Sequence, residues 1–340
     1  MIPIRNEEVS LPVLLAGLEA QTWPDIEFIF IDDGSTDSSP ALLEDFKRRC
    51  GFPVNIMTNV VATEENTAET GGADGKGTFV NRKQRALSYG IAQAHGAVLL
   101  FTDADCVVGP DWVRVMAQNV CVEHTGVILG PVYKETMPRG FLHDYQRFDH
   151  MVRGMYVAAA AGLGAAGGGF GNNIAVRKEA LDAVGGYESV PPSVTEDAAM
   201  ISLIRKNTRY DVHAVYDPAT HVFTRCEPTW GRLVNQTLRW HHGGLFSSDA
   251  VTALSFGALA LLFLLCALCF PLAVIHPPFL IVPAVVLIEI IFGNLPAKIY
   301  AGKSLPLKFP LFLFLCFFIE YFFTLLTILS FVGKKPNWKR

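Results

Sequence analysis

The stretch LLFTDADCVV, residues 99–108, decides how this chain reads. Leu99 to Phe101 are the residues of a buried strand. Two aspartates one residue apart, Asp103 and Asp105, then break the apolar pattern. Ionised carboxylates are costly to bury, so this pair belongs at the mouth of the strand. The earlier apolar run IEFIFI, 26–31, ends the same way, in Asp32-Asp33.

Around these runs the pattern alternates. DDGS leads into a helix over 38–49, with Ser38 or Ser39 as its cap and Pro40 in its first turn. KQRALSYGIAQAHG, 83–96, predicts a helix stopped by Gly96. AVLLFTDAD, 97–105, is the next strand, PDWVRVMAQNV, 110–120, a helix, and TGVILGPVY, 125–133, a strand. Residues 157–173, VAAAAGLGAAGGGFGNN, read as a helix end and then a flexible loop of close approach. Strand and helix follow in NIAVRKEALDAVGGYE, stopped by Gly185-Gly186. TEDAAMISLIRKN, 195–207, predicts a helix capped by Thr195, and residues 227–244 a helix rich in Arg, Trp and His. Such alternation predicts an α/β fold with a mostly parallel sheet. Ligands bind beyond the carboxyl ends of strands in these sheets, where both acidic pairs fall.

Of 340 residues, 51% are hydrophobic and only 18% charged, with a mean hydropathy of +0.31. The excess lies after residue 250. We therefore expect a mixed globular domain over 1–250, a membrane region of two to three helices over 251–333 and a basic tail, 334–340. Residues 252–275 and 309–333 are long enough to span, whereas 279–297 carry Pro283 and Glu289. Lys298, Lys303 and Lys308 place the second loop in the cytoplasm by the positive-inside rule, which the basic tail breaks if there are three spans. A net charge of −4 without a basic stripe argues against nucleic acid as a partner. Seven dispersed cysteines fit a reducing compartment, and Cys266 and Cys269 read as helix-buried thiols. The opening MIPIRNEE has no signal-peptide pattern, and its first strand reads either as unusually short or, the expectation favoured here, as clipped upstream, where a membrane anchor could also have stood.

Carboxylates at strand ends suit a hard divalent cation that shares its shell with substrate phosphates. A turn with a capping aspartate explains a lone DxD equally well. There is no GxGxxG and no GxxxxGK[ST], so neither a dinucleotide site nor a P-loop is expected. Asp197 reads either as a functional acid or as a charge at a helix start. Arg239 and Trp240 read either as site residues or as an anchor at a membrane interface, and His241 and His242 as interfacial. Glu289 and Glu320 lie in apolar runs with no partner legible.

Taken in order, IPIRNEE, IDDGSTD, NRKQRALSYGI, FTDADC, GGGFGNNIAVRKEALDAVGGYE, TEDAAM and QTLRW resemble the motifs of family 2 glycosyltransferases. The resemblance implies a GT-A nucleotide-diphospho-sugar transferase fold followed by C-terminal transmembrane helices. It implies inverting transfer from a nucleotide sugar, UDP-linked, to a membrane lipid or polysaccharide, with Mg²⁺ or Mn²⁺ as cofactor. Pro3, Arg5, Glu7, Asp32 and Asp33 would line the nucleoside pocket, and Lys83 and Asp103 would approach the nucleotide. Asp105, with Asp103, would hold the metal, and Asp197 would be the general base. Gln236, Arg239 and Trp240 would cover the diphosphate and the acceptor end. The implied setting is a multi-pass protein of a bacterial inner membrane, its catalytic domain facing the cytoplasm. Residues 61–78 depart from the pattern as a long polar insertion. The rival readings are a nucleotidyltransferase and a non-catalytic membrane scaffold.

Overall fold

The computed structural model describes residues 1–58, 82–293 and 309–332. The expected insertion at 61–78, the lysines 298, 303 and 308 and the tail at 334–340 lie outside the described residues. The chain forms two compact units, Met1–Tyr133 with Gly154–Arg225, and Lys134–Arg153 with Cys226–Arg340.

The first unit opens with β1 (Ile2–Ile4), α1 (Leu11–Glu19), β2 (Phe28–Asp32), α2 (Ser39–Arg49) and β3 (Val54–Thr58). There follow α3 (Arg82–Ile91), β4 (Val98–Phe101), β5 (Cys106–Val108), α4 (Trp112–Val120), β6 (Thr125–Leu129) and β7 (Val132–Lys134). After α5 (Phe141–Gly162) come β8 (Ile174–Arg177), α6 (Lys178–Asp182), α7 (Glu196–Asn207), β9 (Asp211–Ala214) and β10 (Val222–Thr224).

Strands β1, β2 and β3 pair in parallel, and a second sheet runs β4-β8-β6-β9. Met1 joins the two. Its amino group donates to the Leu100 carbonyl at 2.8 Å, and its carbonyl accepts from Thr102 N–H at 3.3 Å, the spacing of a parallel ladder. Strand β8 is antiparallel to both β4 and β6, while β9 is parallel to β6. The expected mostly parallel sheet is thus present, with β8 as the reversed strand.

Alternation along β2 sorts the helices onto two faces. Phe28 and Phe30 pack with Leu14 of α1, Phe46 of α2 and Trp112 of α4. Ile29 and Ile31 pack with Leu87 of α3, Leu181 of α6 and Ile201 of α7. The result is a three-layer α/β/α unit. Helix α1 buries Leu11, Leu14, Leu15 and Leu18, one helical face.

Several local expectations are corrected. Neither Ser38 nor Thr195 caps its helix through its side chain. Helix α3 ends at Ile91 rather than at Gly96, where turns to Gly90 and Ile91 carbonyls take over. TGVILGPVY divides into β6 and β7, because Pro131 has no N–H to continue a ladder.

Asn173 ties this unit together. Its amide nitrogen donates to the Pro131 and Thr220 carbonyls, both at 2.8 Å, and its oxygen accepts from Trp112 Nε1 at 2.9 Å. Gly130 makes room for it, since a Cβ there would stand 2.3 Å from Asn173 Nδ2.

The second unit contains α8 (Trp230–Leu245), α9 (Ala250–Ile275), α10 (Ile281–Gly293) and α11 (Phe309–Val332). Asp249 caps α9 by accepting from Thr252 N–H at 2.9 Å. Among the described residues, two helices can cross a membrane by length and composition: Ala250–Ile275 and Leu311–Ser330 within α11. Pro277–Glu289 is shorter. Glu320 of α11 has the partner the sequence did not reveal: the Tyr145 hydroxyl of α5 donates to it. Beside them Arg153 Nε meets both carboxylate oxygens of Asp149 at 2.9 Å.

The Asn173 site yields a stability prediction. Asn173→Asp sets an unpaired carboxylate against two carbonyls and should cost about 3–5 kcal/mol in urea unfolding. A loss below about 1 kcal/mol would contradict this account of the hub.

Candidate active site

The carboxyl ends of β1, β2 and β4 form one edge of the sheet. At the end of β2, Asp32 Oδ1 accepts from Ser35 N–H at 3.0 Å, and Gly34 turns with φ 76°. Asp32 therefore works inside the turn. Asp33 is buried, and its carboxylate lies 3.7 Å from Arg5. The loop after β1 is stapled to this turn. Asn6 N–H donates to Ser35 Oγ at 3.0 Å, and Glu7 N–H to Ser39 Oγ at 2.8 Å. The Ser39 hydroxyl expected to serve helix α2 instead holds Glu7. Pro3 sits in β1 opposite Ile31.

At the end of β4, Asp103 and Asp105 flank buried Ala104, in a turn closed by Cys106 N–H donating to the Asp103 carbonyl at 3.1 Å. Asp103 Oδ1 accepts from Lys83 Nζ at 2.7 Å. Asp105 Oδ2 accepts from Thr224 Oγ1 at 2.8 Å, because antiparallel β10 sets Thr224 opposite Cys106. Burial, with smaller contributions from Asp105 and Asp103, raises the pKa of Glu7. These three carboxylates share one electrostatic neighbourhood.

The third element is the start of α7. Glu196 Oε1 lies 3.7 Å from the same Lys83 ammonium. Asp197 Oδ1 accepts from Ala198 N–H at 2.8 Å. Burial pushes the Asp197 pKa up to about 6, the Glu196 carboxylate adds to this, and the Lys83 charge opposes it. The glycine loop, expected to make a close approach somewhere, crowds this helix start: a Cβ on Gly171 would lie 2.7 Å from Asp197 Oδ2, and one on Gly168 3.2 Å from Ala198 Cβ. Gln84, next to Lys83, steadies the approach to α7: its amide donates to the Val190 carbonyl at 3.2 Å and accepts from Ser193 N–H at 3.4 Å.

The first unit thus brings Asp103, Lys83 and Asp197 together through shared charges. Gln236, Arg239 and Trp240 belong to the second unit. There Gln236 donates to Glu227 Oε1 at 3.1 Å, Arg239 is exposed, and the Trp240 ring lies 5.1 Å from the Arg153 guanidinium. Glu196, Gln84 and Gly171 escaped sequence reasoning. Adjacency to Asp197 was the available signal for Glu196; Gly171 needed the three-dimensional contact.

Among the described residues, no group of three or more His, Cys, Asp or Glu is arranged to hold a metal alone. The donor set nevertheless fits a hard divalent cation. Asp103 and Asp105 are the one or two carboxylates such a cation uses when phosphates complete its shell.

Acidic turns at the ends of β2 and β4, and a lysine between the second of them and α7, lie where a sheet of this kind binds its ligands. Comparison supplies the class. Residues 70–340 match the model of glycosyl transferase family 21, and residues 1–67 match that of glycosyl transferase family 2. The chain belongs to glycosyl transferase family 21, and the expected likeness to family 2 is borne out beside it. It is 26% identical over 243 residues to the poly-β-1,6-N-acetyl-D-glucosamine synthase of Staphylococcus epidermidis, covering 70% of this chain and 52% of that one. It is 23% identical over 246 residues to the β-monoglucosyldiacylglycerol synthase of a Nostoc species, covering 72% and 48%. With the undecaprenyl-phosphate 4-deoxy-4-formamido-L-arabinose transferase of Pseudomonas fluorescens it shares 30% over 128 residues, 36% of this chain and 31% of that one. The chain spans about half or less of the length of these relatives. A crystal structure of S. aureus TarS 1–349 in complex with UDP is similar at 15% identity and a TM-score of 0.43, covering 74% of this chain and 67% of that one.

Lys83 carries a titration prediction. Lys83→Met removes the cation that opposes the rise of the Asp197 pKa, so Asp197 should titrate above 6. Carbon-13 NMR of labelled aspartate, with Asp197→Asn as the assignment control, reads this directly. An unchanged or lower Asp197 pKa would contradict the shared-charge account.

Proposed function

We propose that the chain is an inverting glycosyltransferase that moves a sugar from a nucleotide-diphosphate donor, UDP-linked, to a membrane lipid or glycan acceptor. The observation that carries the reading is Asp197, a carboxylate of raised pKa beside Glu196 and in the field of Lys83. An acid poised near 6 is ionised at neutral pH yet basic enough to accept a proton. The acceptor O–H gives its proton to Asp197 as its oxygen bonds to the anomeric carbon. The bond from that carbon to the phosphate oxygen breaks on the opposite face, and its electron pair leaves with the nucleoside diphosphate. One displacement inverts the centre and needs no covalent nucleophile.

Arg5, Glu7 and Asp33, with Pro3 and Asp32 supporting the same edge, are assigned to the nucleoside. Lys83 and Asp103 are assigned to the diphosphate side, and Gln236, Arg239 and Trp240 to the leaving group and acceptor end. Asp103 and Asp105 would hold Mg²⁺ or Mn²⁺, which supplies neutralisation of phosphate charge when bound. The proposed layout is a catalytic domain over 1–250, facing the cytoplasm of a bacterial cell, and a membrane region over 251–333. The two long apolar helices, and relatives whose names include lipid-linked products, support the lipid or glycan acceptor.

Asp197→Asn tests the reading. Transfer should fall by about 10²–10⁴, the worth of a general base, with donor affinity kept. The stability sign is fixed by the raised pKa. Ionising Asp197 costs the fold nothing below about pH 3.8 and progressively more as the pH rises toward 6. The amide should therefore melt no lower than wild type at pH 7, with its relative stability rising between pH 4 and 7. Transfer above about a tenth of the wild-type rate would rule the base out.

The metal assignment has its own check. Asp105→Ala should abolish the gain in nucleotide-sugar affinity on adding Mn²⁺, measured by calorimetry. Equal wild-type affinity with and without Mn²⁺ would overturn that assignment.

A further inference from the structure

Tyr187 follows Gly185 and Gly186, whose φ angles of 92° and 78° make a turn that L side chains rarely adopt. This turn buries the ring to 3% exposure. Its hydroxyl is buried without a hydrogen-bond partner among the described residues. It lines a small pocket with Leu87, Phe101, Gly171, Glu196 and Asp197. Buried hydroxyls are nearly always paired, and an unpaired one destabilises the fold. Phenylalanine would fill the same apolar wall without that penalty. A polar atom kept at such a cost needs a reason, and the two carboxylates lining the pocket are the strongest acceptors available to a phenol.

We propose that Tyr187 is a positioning residue for Asp197, its hydroxyl serving as the donor that orients the Glu196–Asp197 carboxylate pair during turnover. The proposal rests on the reading of Asp197 as the base. Ala198 N–H already anchors Asp197 Oδ1, while Oδ2 lies against the glycine loop. One amide leaves the carboxylate free to swing about that anchor, and a second donor from the pocket side removes this freedom. Burial first, then Glu196 and Asp197, raise the pKa of the phenol, so it keeps its proton and remains a donor. The charged groups acting on Asp197 are Glu196, Lys83 and Asp103. Tyr187 adds a neutral donor to that set. It contacts the reaction only through Asp197.

Tyr187→Phe removes one oxygen and tests this. The full chain in detergent is assayed for UDP release from UDP-glucose with Mn²⁺, with dioleoylglycerol or water as acceptor, beside Asp197→Asn. Melting temperature, donor affinity and the Asp197 titration by carbon-13 NMR are read on the same preparations. The expected result is an unchanged or higher melting temperature and donor affinity within about twofold. Turnover should fall about tenfold, and with UDP and Mg²⁺ bound, the state in which the hydroxyl engages the pair, Asp197 should titrate about 0.5–1 pH unit higher, since its ionised form has lost a donor. A folded Tyr187→Phe with wild-type turnover and an unmoved Asp197 titration overturns the proposal. So does a loss of activity that merely tracks a lower melting temperature. If Asp197→Asn is inactive and Tyr187→Phe is not, only the positioning role fails. If Asp197→Asn keeps turnover, the base reading fails and takes this role with it.

Discussion

The Lys83 ammonium, 2.7 Å from Asp103 and 3.7 Å from Glu196, is the interaction on which the site depends. Asp103 belongs to the end of β4 and Glu196 to the start of α7, elements more than 90 residues apart in the chain. Without a cation between them, Asp103, Glu196 and Asp197 would repel one another. With it, Asp197 remains acidic enough to ionise at neutral pH while burial keeps it basic. Gln84 on the same helix holds the loop before α7, so helix α3 bears on both the charge around Asp197 and the position of its helix start.

The rest of the first unit serves that edge. Parallel strands bring the ends of β1, β2 and β4 to one side, and hydrogen bonds through Met1 make the sheet continuous there. Asn173 secures the base of the glycine loop, which then passes so close to Asp197 that a side chain at Gly171 has no room. The glycine loop on one flank and the small pocket on the other bound the space in which the Asp197 carboxylate turns about its Ala198 anchor.

Much of this was legible in the sequence, for a physical reason. Asp33, Asp103 and Asp105 stand out because charge directly after an apolar strand has few places to go. The α/β layering followed from the alternation of strand and helix patterns, and the two long apolar helices from their length. What depends on distant partners was not legible. Ser39 looks like a helix cap but holds Glu7, because the loop after β1 folds back over its hydroxyl. Thr224, in a three-residue strand, gains meaning only beside Asp105. Glu320, isolated in an apolar run, has its partner Tyr145 175 residues away in sequence.

The central claim is a single displacement with one carboxylate as base, and its products test it most directly. Purified protein in detergent is given UDP-glucose, Mn²⁺ and dioleoylglycerol, and the mixture is followed by phosphorus and proton NMR. The account predicts release of UDP and a glycoside of inverted anomeric configuration. Pyrophosphate among the products, or a glycoside that retains the donor's configuration, would contradict it.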